Sequence, residues 1–181
     1  MASFIKNIKE NIGRWVLNNH LKKSYRNPQF INYDKAKTIG VIFNATHQDT
    51  YEIARKYIKT LSEKDIIIKA LGFVDSQEIL DFYQKSIYFE YFSRKNLNWY
   101  NKPNNPNTKE FIDTPFDILI DLSLIEDFPI QYIVALSKAR FKVGCVKETE
   151  NYYDFMIRLD KNHQLQYFIE QLDHYFEMIK N

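Results

Sequence analysis

The hydrophobic pattern of this chain alternates between two periods. Short apolar runs of strand length are separated by stretches in which apolar residues recur every three or four positions, as in amphipathic helices. The apolar runs predict strands at residues 38–43, 65–74, 87–92, 116–122, 142–146 and 155–159. Helices are predicted at residues 3–18, 51–61, 76–83, 127–137 and 165–179. Because strands alternate mostly with helices, we predict an α/β fold: a Rossmann-like three-layer sandwich with a mostly parallel sheet of five or six strands.

An amphipathic helix is predicted in front of this domain. Its apolar side chains share one stripe, which holds Phe4, Ile5, Ile8, Ile12, Trp15 and Val16. At 100° per residue the stripe spans roughly 120° of the helix. Residues 1–37 are therefore interpreted as a basic helix with its connector, and residues 38–181 as a single α/β domain. Three positions of the helix stay open: on its own domain, on a partner, or on a membrane surface.

Charge is unevenly distributed along the sequence. The net charge of the 181 residues is only +2, yet six bases face a single acid, Glu10, in the first thirty. These bases are Lys6, Lys9, Arg14, Lys22, Lys23 and Arg26. The asymmetry predicts that the N-terminal segment contacts a polyanion or an anionic membrane surface.

The cysteine content and the lengths of the apolar runs indicate the compartment. Cys145 is the single cysteine, so no internal disulfide forms, as expected in a reducing compartment. No apolar run is long enough to span a membrane, and the first residues do not resemble a secretory signal. We expect a cytoplasmic protein, with peripheral attachment to a membrane as an alternative.

A ligand site is predicted between the first and fourth strands. In a doubly wound sheet these strands are neighbours, and ligands bind at their carboxyl ends. The polar residues at these ends are Asn44, Thr46, His47, Asp49, Asp121 and Ser123. The alternative is structural: Thr46 or Asp49 caps the following helix, Asp117 starts the fourth strand at the surface, and Asp121 satisfies loop backbone. The first loop contains no glycine, unlike a dinucleotide fingerprint.

A second candidate surface lies in residues 93–114, which are rich in asparagine and proline and are predicted to form a long loop. Arg94, Lys95 and Lys102 interleave there with Trp99 and Tyr100, as on surfaces that bind nucleic acids. Alternatively, Trp99 and Tyr100 pin the loop to the core. Together with the N-terminal bases, the predicted partner or anion contacts are Lys6, Lys9, Arg14, Lys22, Lys23, Arg94, Lys95, Trp99 and Lys102.

No catalytic motif is present. The sequence lacks a Walker loop, a G-x-S-x-G elbow and an H-E-x-x-H pair, and its four histidines do not have zinc-ligand spacing. Cys145 is interpreted as a buried small hydrophobe, with a nucleophilic Cys–His pair as the alternative. We therefore predict no catalytic residues, no metal and no cofactor.

Two segments carry a resemblance to known proteins. Residues 116–123 with 132–144, together with residues 92–100, resemble an uncharacterised bacterial family of small Rossmann-like proteins, a domain of unknown function. The Asp-Leu strand, helix and Lys-Val-Gly run are more distantly similar to part of the N-terminal half of heptosyltransferase-type glycosyltransferases. Those enzymes need a second Rossmann domain, for which this chain has no room, so the resemblance implies the fold and no activity.

Two functional hypotheses follow. The first is a non-catalytic binding or assembly protein, which contacts a partner protein or second copy, RNA or a membrane surface through residues 1–30 and 93–110. The second is a small nucleotide- or sugar-nucleotide-binding enzyme, or a degenerate remnant of one, that uses the crevice at the ends of strands one and four.

Overall fold

The described residues form an α/β sandwich around one parallel sheet. A computed structural model describes residues 2–79, 83, 87–159 and 163–178, and side chains from residue 8 onward within them. The strands are β1 (Thr38–Asn44), β2 (Ile67–Val74), β3 (Phe89–Ser93), β4 (Ile118–Asp121), β5 (Phe141–Cys145) and β6 (Phe155–Ile157). The helices are α1 (Ala2–Leu21), α2 (Gln48–Ser62), α3 (Pro106–Asp113), α4 (Phe128–Leu136) and α5 (Leu165–Met178).

The six strands are ordered β3-β2-β1-β4-β5-β6, and every pairing is parallel. This confirms the predicted Rossmann-like sandwich and the adjacency of the first and fourth strands. The register places Ile42 beside Asp121, so β1 and β4 end at the same edge of the sheet. The strands β1 and β4 therefore meet at the point where the strand order reverses.

Two apolar clusters cover the two faces of the sheet. On one face α2 and α5 pack through residues such as Ile58 and Phe168, both fully buried. On the other face α3 and α4 contribute Phe111 and Ile133. Strands buried on both faces explain why their sequences read as continuous apolar runs.

Two predicted elements differ from the structure. Residues 93–114 are not a structureless loop, because they contain a 3-10 turn at Arg94–Asn96 and the helix α3. The helix predicted at residues 76–83 is absent over residues 76–79, of which 76–78 form bends, and residues 80–82 lie outside the described part of the chain. The observed strand ends differ from the predicted ones by at most two residues.

Candidate functional site

The crevice predicted at the ends of β1 and β4 is bridged by side chains. Asn44 Nδ2 donates a 2.6 Å hydrogen bond to Asp127 Oδ2 at the start of α4. Asn44 Oδ1 accepts from the Thr46 backbone N–H at 2.8 Å. Burial raises the pKa of Asp127 above its ordinary value. Asn44 thus links the end of β1 to α4, and both polar atoms of its side-chain amide form hydrogen bonds within the protein.

Of the polar side chains in and after the loop that follows β1, one bonds within the protein and two are exposed. Thr46 Oγ1 accepts a 2.9 Å hydrogen bond from the Asp75 backbone N–H and so ties this loop to the end of β2. His47 occupies the N-cap of α2 without a side-chain capping bond, and both His47 and Asp49 are exposed. The expectation that Thr46 or Asp49 caps α2 is therefore wrong, because Thr46 bonds to the neighbouring strand end instead.

Asp121 and Ser123 lie inside the protein. Asp121 Oδ1 accepts from the Ser123 N–H at 2.8 Å, and its Oδ2 accepts from the Tyr153 hydroxyl at 2.6 Å. Lys147 Nζ lies 3.9 Å from the same carboxylate and donates to the Ser123 carbonyl. This carboxylate has no solvent exposure, so its partners are internal. The sequence pattern did not indicate Tyr153 or Lys147, because both are far from Asp121 along the chain.

Asp117 sits at the opposite end of β4. It accepts from the backbone N–H groups of Lys37 and Thr38 at 2.8 and 3.2 Å, and it forms an ion pair with Arg140. Burial alone would raise its pKa, but these hydrogen bonds and the guanidinium hold the pKa below its ordinary value. Asp117 therefore joins the start of β1 to β4 and takes no part in the crevice.

A cleft of 530 Å³ does open at the carboxyl edge of the sheet. Its charged lining residues are Glu10, Asp75, Glu126 and Asp127 against Lys9 and Arg94. Arg94 Nη2 donates to Asp75 at 2.9 Å, so one of the two bases is already paired. None of the six predicted ligand residues lines this cleft. Because Asp75 and Glu126 pair with Arg94 and Arg14, the described lining of the cleft offers a phosphate group no free guanidinium.

The N-terminal helix α1 packs on its own domain. Leu17 is 1% exposed and contacts a cluster that includes Phe128 and Tyr132 of α4. His20 Nδ1 lies 2.7 Å from the Tyr132 hydroxyl. At Gly13 the backbone comes so close to Phe128 that a Cβ atom there would lie 2.7 Å from the ring. The face of α1 turned inward therefore centres on Gly13 and Leu17.

The apolar stripe of α1 lies on a different side of the helix. At 100° per residue its centre is rotated by about 130° from the Gly13–Leu17 face. Ile8 is 42% exposed and Trp15 is 67% exposed, while Ile12 and Val16 are partly exposed. The side chains of Phe4 and Ile5 lie outside the described residues. We call the set Ile8, Ile12, Trp15 and Val16 the outer stripe.

Ion pairs within the domain hold two of the predicted contact residues and one further arginine. Arg14 Nη2 lies 2.6 Å from Glu126, and Arg94 pairs with Asp75. Arg26, counted in the basic segment, makes a bidentate contact of 2.5 and 2.6 Å with Asp154.

The lysines among the predicted contacts are placed differently. Lys22, Lys23 and Lys95 are exposed, and Lys9 lines the acidic cleft. The ammonium of Lys102 lies 5.8 Å from the centre of the Tyr132 ring. The side chain of Lys6 lies outside the described part of the chain. Part of the positive charge of the N-terminal segment is therefore used in ion pairs with the domain, and Lys22 and Lys23 carry positive charge that is exposed to solvent.

The segment before α3 is ordered by its asparagines. Asn98 Oδ1 accepts from the backbone N–H groups of Tyr100 and Lys102, and a bridge pairs Leu97 with Pro103. Trp99 is 61% exposed, so the expectation that it pins the segment to the core is wrong.

The sequence at the start of α3 contains a signal for a helix start, although residues 93–114 were predicted to form a loop. Asn105 caps the helix by accepting from the Thr108 N–H at 3.1 Å, and Pro106 follows at the first helical position. Both residue types are preferred at these positions. The Asn105-Pro106 pair could therefore have located the helix.

Cys145 is buried at the end of β5. Burial raises the pKa of its thiol, which lowers the thiolate fraction that a nucleophile needs. Within the described ranges, no group of three or more His, Cys, Asp or Glu residues could hold a metal ion. Among the helices that the structure describes, none combines the length and the apolar character required to cross a membrane.

The chain matches a protein-family model over nearly its whole length. No curated protein and no solved structure matches it. A family model described as a family of unknown function matches residues 9–179, a range that includes most of α1 and all six strands. The chain therefore belongs to this family, DUF6913.

Proposed function

We propose that this chain is a non-catalytic binding protein that attaches reversibly to an anionic membrane surface through the outer stripe of α1. One observation carries the proposal: α1 is held to the domain by Gly13 and Leu17, while its apolar stripe faces away. Exposed apolar side chains on one helix face are typical of helices that lie in a membrane interface.

The charge around the outer stripe supports a lipid surface as the occupant. Glu10 is the single acid among residues 1–33, and it lines the cleft on the domain side of α1. Lys22 follows directly after the end of α1, and its N–H still donates to the Asn18 carbonyl as in a helix, which places Lys22 near the face that holds Trp15. Tyr25 is 89% exposed just beyond the helix. Tryptophan, tyrosine and lysine are the residues that anchor proteins at the level of lipid headgroups.

The expected attachment is weak and reversible. Each lysine near an anionic surface contributes about 1 kcal/mol, and the burial of Trp15 and Ile8 adds an apolar contribution of similar size for each side chain. A protein partner or RNA is a less suitable occupant. RNA offers phosphates but no apolar surface for Ile8 and Ile12, and the exposed Lys22 and Lys23 beside the stripe favour an anionic lipid surface over an uncharged protein face.

The crevice hypothesis receives less support. A nucleotide or sugar nucleotide carries phosphates, whereas the cleft at the strand ends is lined by four carboxylates and two bases. Enzymatic use of the crevice therefore ranks second to membrane attachment.

Co-sedimentation with lipid vesicles tests the proposal. The protein is mixed with vesicles of phosphatidylcholine alone, or of phosphatidylcholine with phosphatidylglycerol. We expect binding to the anionic vesicles, which falls as salt rises, and loss of binding in the double variant Ile8→Ser/Trp15→Ser. Ile67→Ser/Trp99→Ser is the matched control, because Ile67 and Trp99 are also exposed and lie outside α1.

The outcomes separate the hypotheses. Retained binding in the Ile8→Ser/Trp15→Ser variant, or loss of binding in the control variant, would overturn the assignment to the outer stripe. Equal unfolding transitions of both variants and the natural protein would show that neither substitution pair acts by unfolding the domain. Binding to RNA oligonucleotides with no vesicle binding would also overturn the proposal.

A further inference from the structure

A groove of 520 Å³ runs between α3, α4 and the end of α1. We call it the α3 groove. Its apolar walls are Pro103, Pro106, Ile112, Leu136 and the ring of Tyr132. Its polar lining includes His20, Lys102, Asn105 and Lys109. A mainly apolar concavity with a few polar groups is the usual form of a small-molecule site.

The charged side chains of the α3 groove have one sign. Lys102 and Lys109 line it, and no carboxylate is among its described lining residues. The two acids near the end of α3 are engaged elsewhere, since Glu110 pairs with Lys69 at 2.6 Å and Asp113 pairs with Lys138 at 2.7 Å. The ammonium groups of the groove are therefore left without a carboxylate from α3.

His20, at the end of α1, also lines the groove and lies close to the charge of Lys102. Burial, together with the nearby charges of Lys102 and Lys23, lowers the pKa of His20. Its ring is held by the Tyr132 hydroxyl at 2.7 Å. Burial is the larger cause; the positive charges of Lys102 and Lys23, which oppose a proton on His20, also favour an anion beside them.

The walls of the groove are fixed before any ligand arrives. Asn105 caps α3, and the Leu97–Pro103 bridge together with a 2.8 Å hydrogen bond from the Asn104 N–H to the Asn96 carbonyl holds the segment before it. The opening turn of α3 lies along the groove, so the positive end of the helix dipole adds to the two ammonium groups. A preformed site loses little entropy when it binds a ligand.

We propose that the α3 groove binds a small organic anion, in which one phosphate or similar anionic group is joined to an apolar body. The anionic group lies between Lys102 and Lys109, and the apolar body lies along Tyr132, Ile112 and Leu136. This site is distinct from the outer stripe of α1 and does not depend on membrane attachment.

Binding of 1-naphthyl phosphate without vesicles tests this proposal. Isothermal calorimetry gives the affinity, and the imidazole signal of His20 in a proton NMR titration gives its pKa, with His20→Gln used for assignment. We expect saturable binding and a rise in the pKa of His20, because a nearby anion stabilises the imidazolium. Inorganic phosphate carries the anionic group alone, and 1-naphthol carries the apolar body alone. Each should bind at least about tenfold more weakly than 1-naphthyl phosphate.

Matched lysine variants locate the site. Lys102→Met/Lys109→Met should weaken binding of 1-naphthyl phosphate about tenfold or more, whereas Lys56→Met, an exposed lysine on α2, should leave it unchanged. The affinity of dihexanoyl phosphatidic acid, a lipid with short chains, is measured in the same way. Comparison with 1-naphthyl phosphate shows whether a lipid headgroup or a free phosphate ester binds more tightly.

Several results would overturn the proposal. These are unchanged binding in the double variant, equal binding of 1-naphthyl phosphate and 1-naphthol, equal binding of 1-naphthyl phosphate and inorganic phosphate, or a His20 pKa that does not rise. Because vesicles are absent, failure here leaves membrane attachment untouched, and failure of vesicle binding leaves the groove untouched.

Discussion

Gly13 of α1 and Phe128 of α4 lie in direct contact, and this contact determines which face of α1 is turned inward. A Cβ atom at Gly13 would lie 2.7 Å from the Phe128 ring and 2.8 Å from the Tyr100 carbonyl oxygen. No residue larger than glycine fits between them without a shift of α1. The helix therefore packs through its smallest residue, and its larger apolar side chains remain outside.

Replacement of Gly13 by valine should displace α1. The added side chain overlaps Phe128, so we expect the free energy of unfolding to fall by about 1–3 kcal/mol. Trypsin should also cleave after Lys22 or Lys23 faster than in the natural protein. Urea unfolding and limited proteolysis measure the two effects. Asn11→Val is the control, because it places the same residue type at an exposed position of the same helix. Equal stability of the two variants would contradict the packing of α1.

The buried pair Asp121–Lys147 should show strong coupling. Asp121→Asn removes the carboxylate charge and leaves the Lys147 ammonium, 1% exposed at its side chain, without a counter-ion. We expect the free energy of unfolding to fall by about 3–5 kcal/mol. The double variant Asp121→Asn/Lys147→Met should recover part of this loss, as measured by a double-mutant cycle in urea. Additive losses would show that the two charges do not interact.

Lys142 should make stability depend on pH. Burial, with a smaller effect of Arg26, lowers its pKa to about 7, and its ammonium donates to the carbonyls of Val134 and Ala135 at the end of α4. Between pH 7 and the ordinary lysine pKa of about 10.4, the unfolded chain holds a proton that the folded chain has lost. Stability should therefore rise with pH across this range. Below it both states hold the proton, so the destabilising effect of the buried Lys142 charge is complete and no longer changes with pH.

The comparison with Lys142→Met isolates this effect. The difference in the free energy of unfolding between the natural protein and the variant should grow in favour of the natural protein by about 1.4 kcal/mol per pH unit at most. Urea unfolding at several pH values between 6 and 10 measures it, and groups other than Lys142 cancel in the difference. A difference that is constant with pH would contradict the buried position of Lys142.

Nucleotides should not stabilise this protein through the cleft at the ends of the strands. Four carboxylates line the cleft at the strand ends, and the guanidinium groups of Arg14 and Arg94 are already paired with two of them, so a triphosphate or a sugar diphosphate finds no free guanidinium among the described residues there. In a thermal-shift measurement on the Lys102→Met/Lys109→Met variant, which lacks the ammonium groups of the α3 groove, we expect no rise in Tm with ATP or UDP-glucose. A ligand at one hundred times its Kd would add about 2.7 kcal/mol to the free energy of unfolding. A saturable rise in Tm would favour the crevice hypothesis.

The sheet could be predicted from the sequence because its strands are buried on both faces. A mostly apolar run such as residues 38–43 is too short for a buried helix and is therefore interpreted as a strand. Helices that connect such strands favour parallel pairing. The α3 helix was missed because the asparagines around it were interpreted as loop formers, although Asn105 and Pro106 form a helix start.

The candidate site was harder to predict, for two physical reasons. Hydrophobic periodicity shows that α1 is amphipathic but does not show which face packs, and here the close approach of Gly13 to α4 overrides the apolar stripe. Polar residues at strand ends such as Asn44 and Asp121 could be located along the chain. Their partners Asp127, Tyr153 and Lys147 come from distant segments, so the sequence could not show that these side chains bond internally.

The fluorescence of Trp15 in the presence of vesicles tests the central claim most directly. The sequence holds two tryptophans, so Trp99→Phe leaves Trp15 as the single reporter and Trp15→Phe leaves Trp99. With vesicles that contain phosphatidylglycerol, we predict that the emission of Trp15 shifts to shorter wavelength and is quenched less by iodide, while the emission of Trp99 is unchanged. An unchanged Trp15 emission at lipid concentrations that sediment the protein, or a shift confined to Trp99, would contradict attachment through the outer stripe.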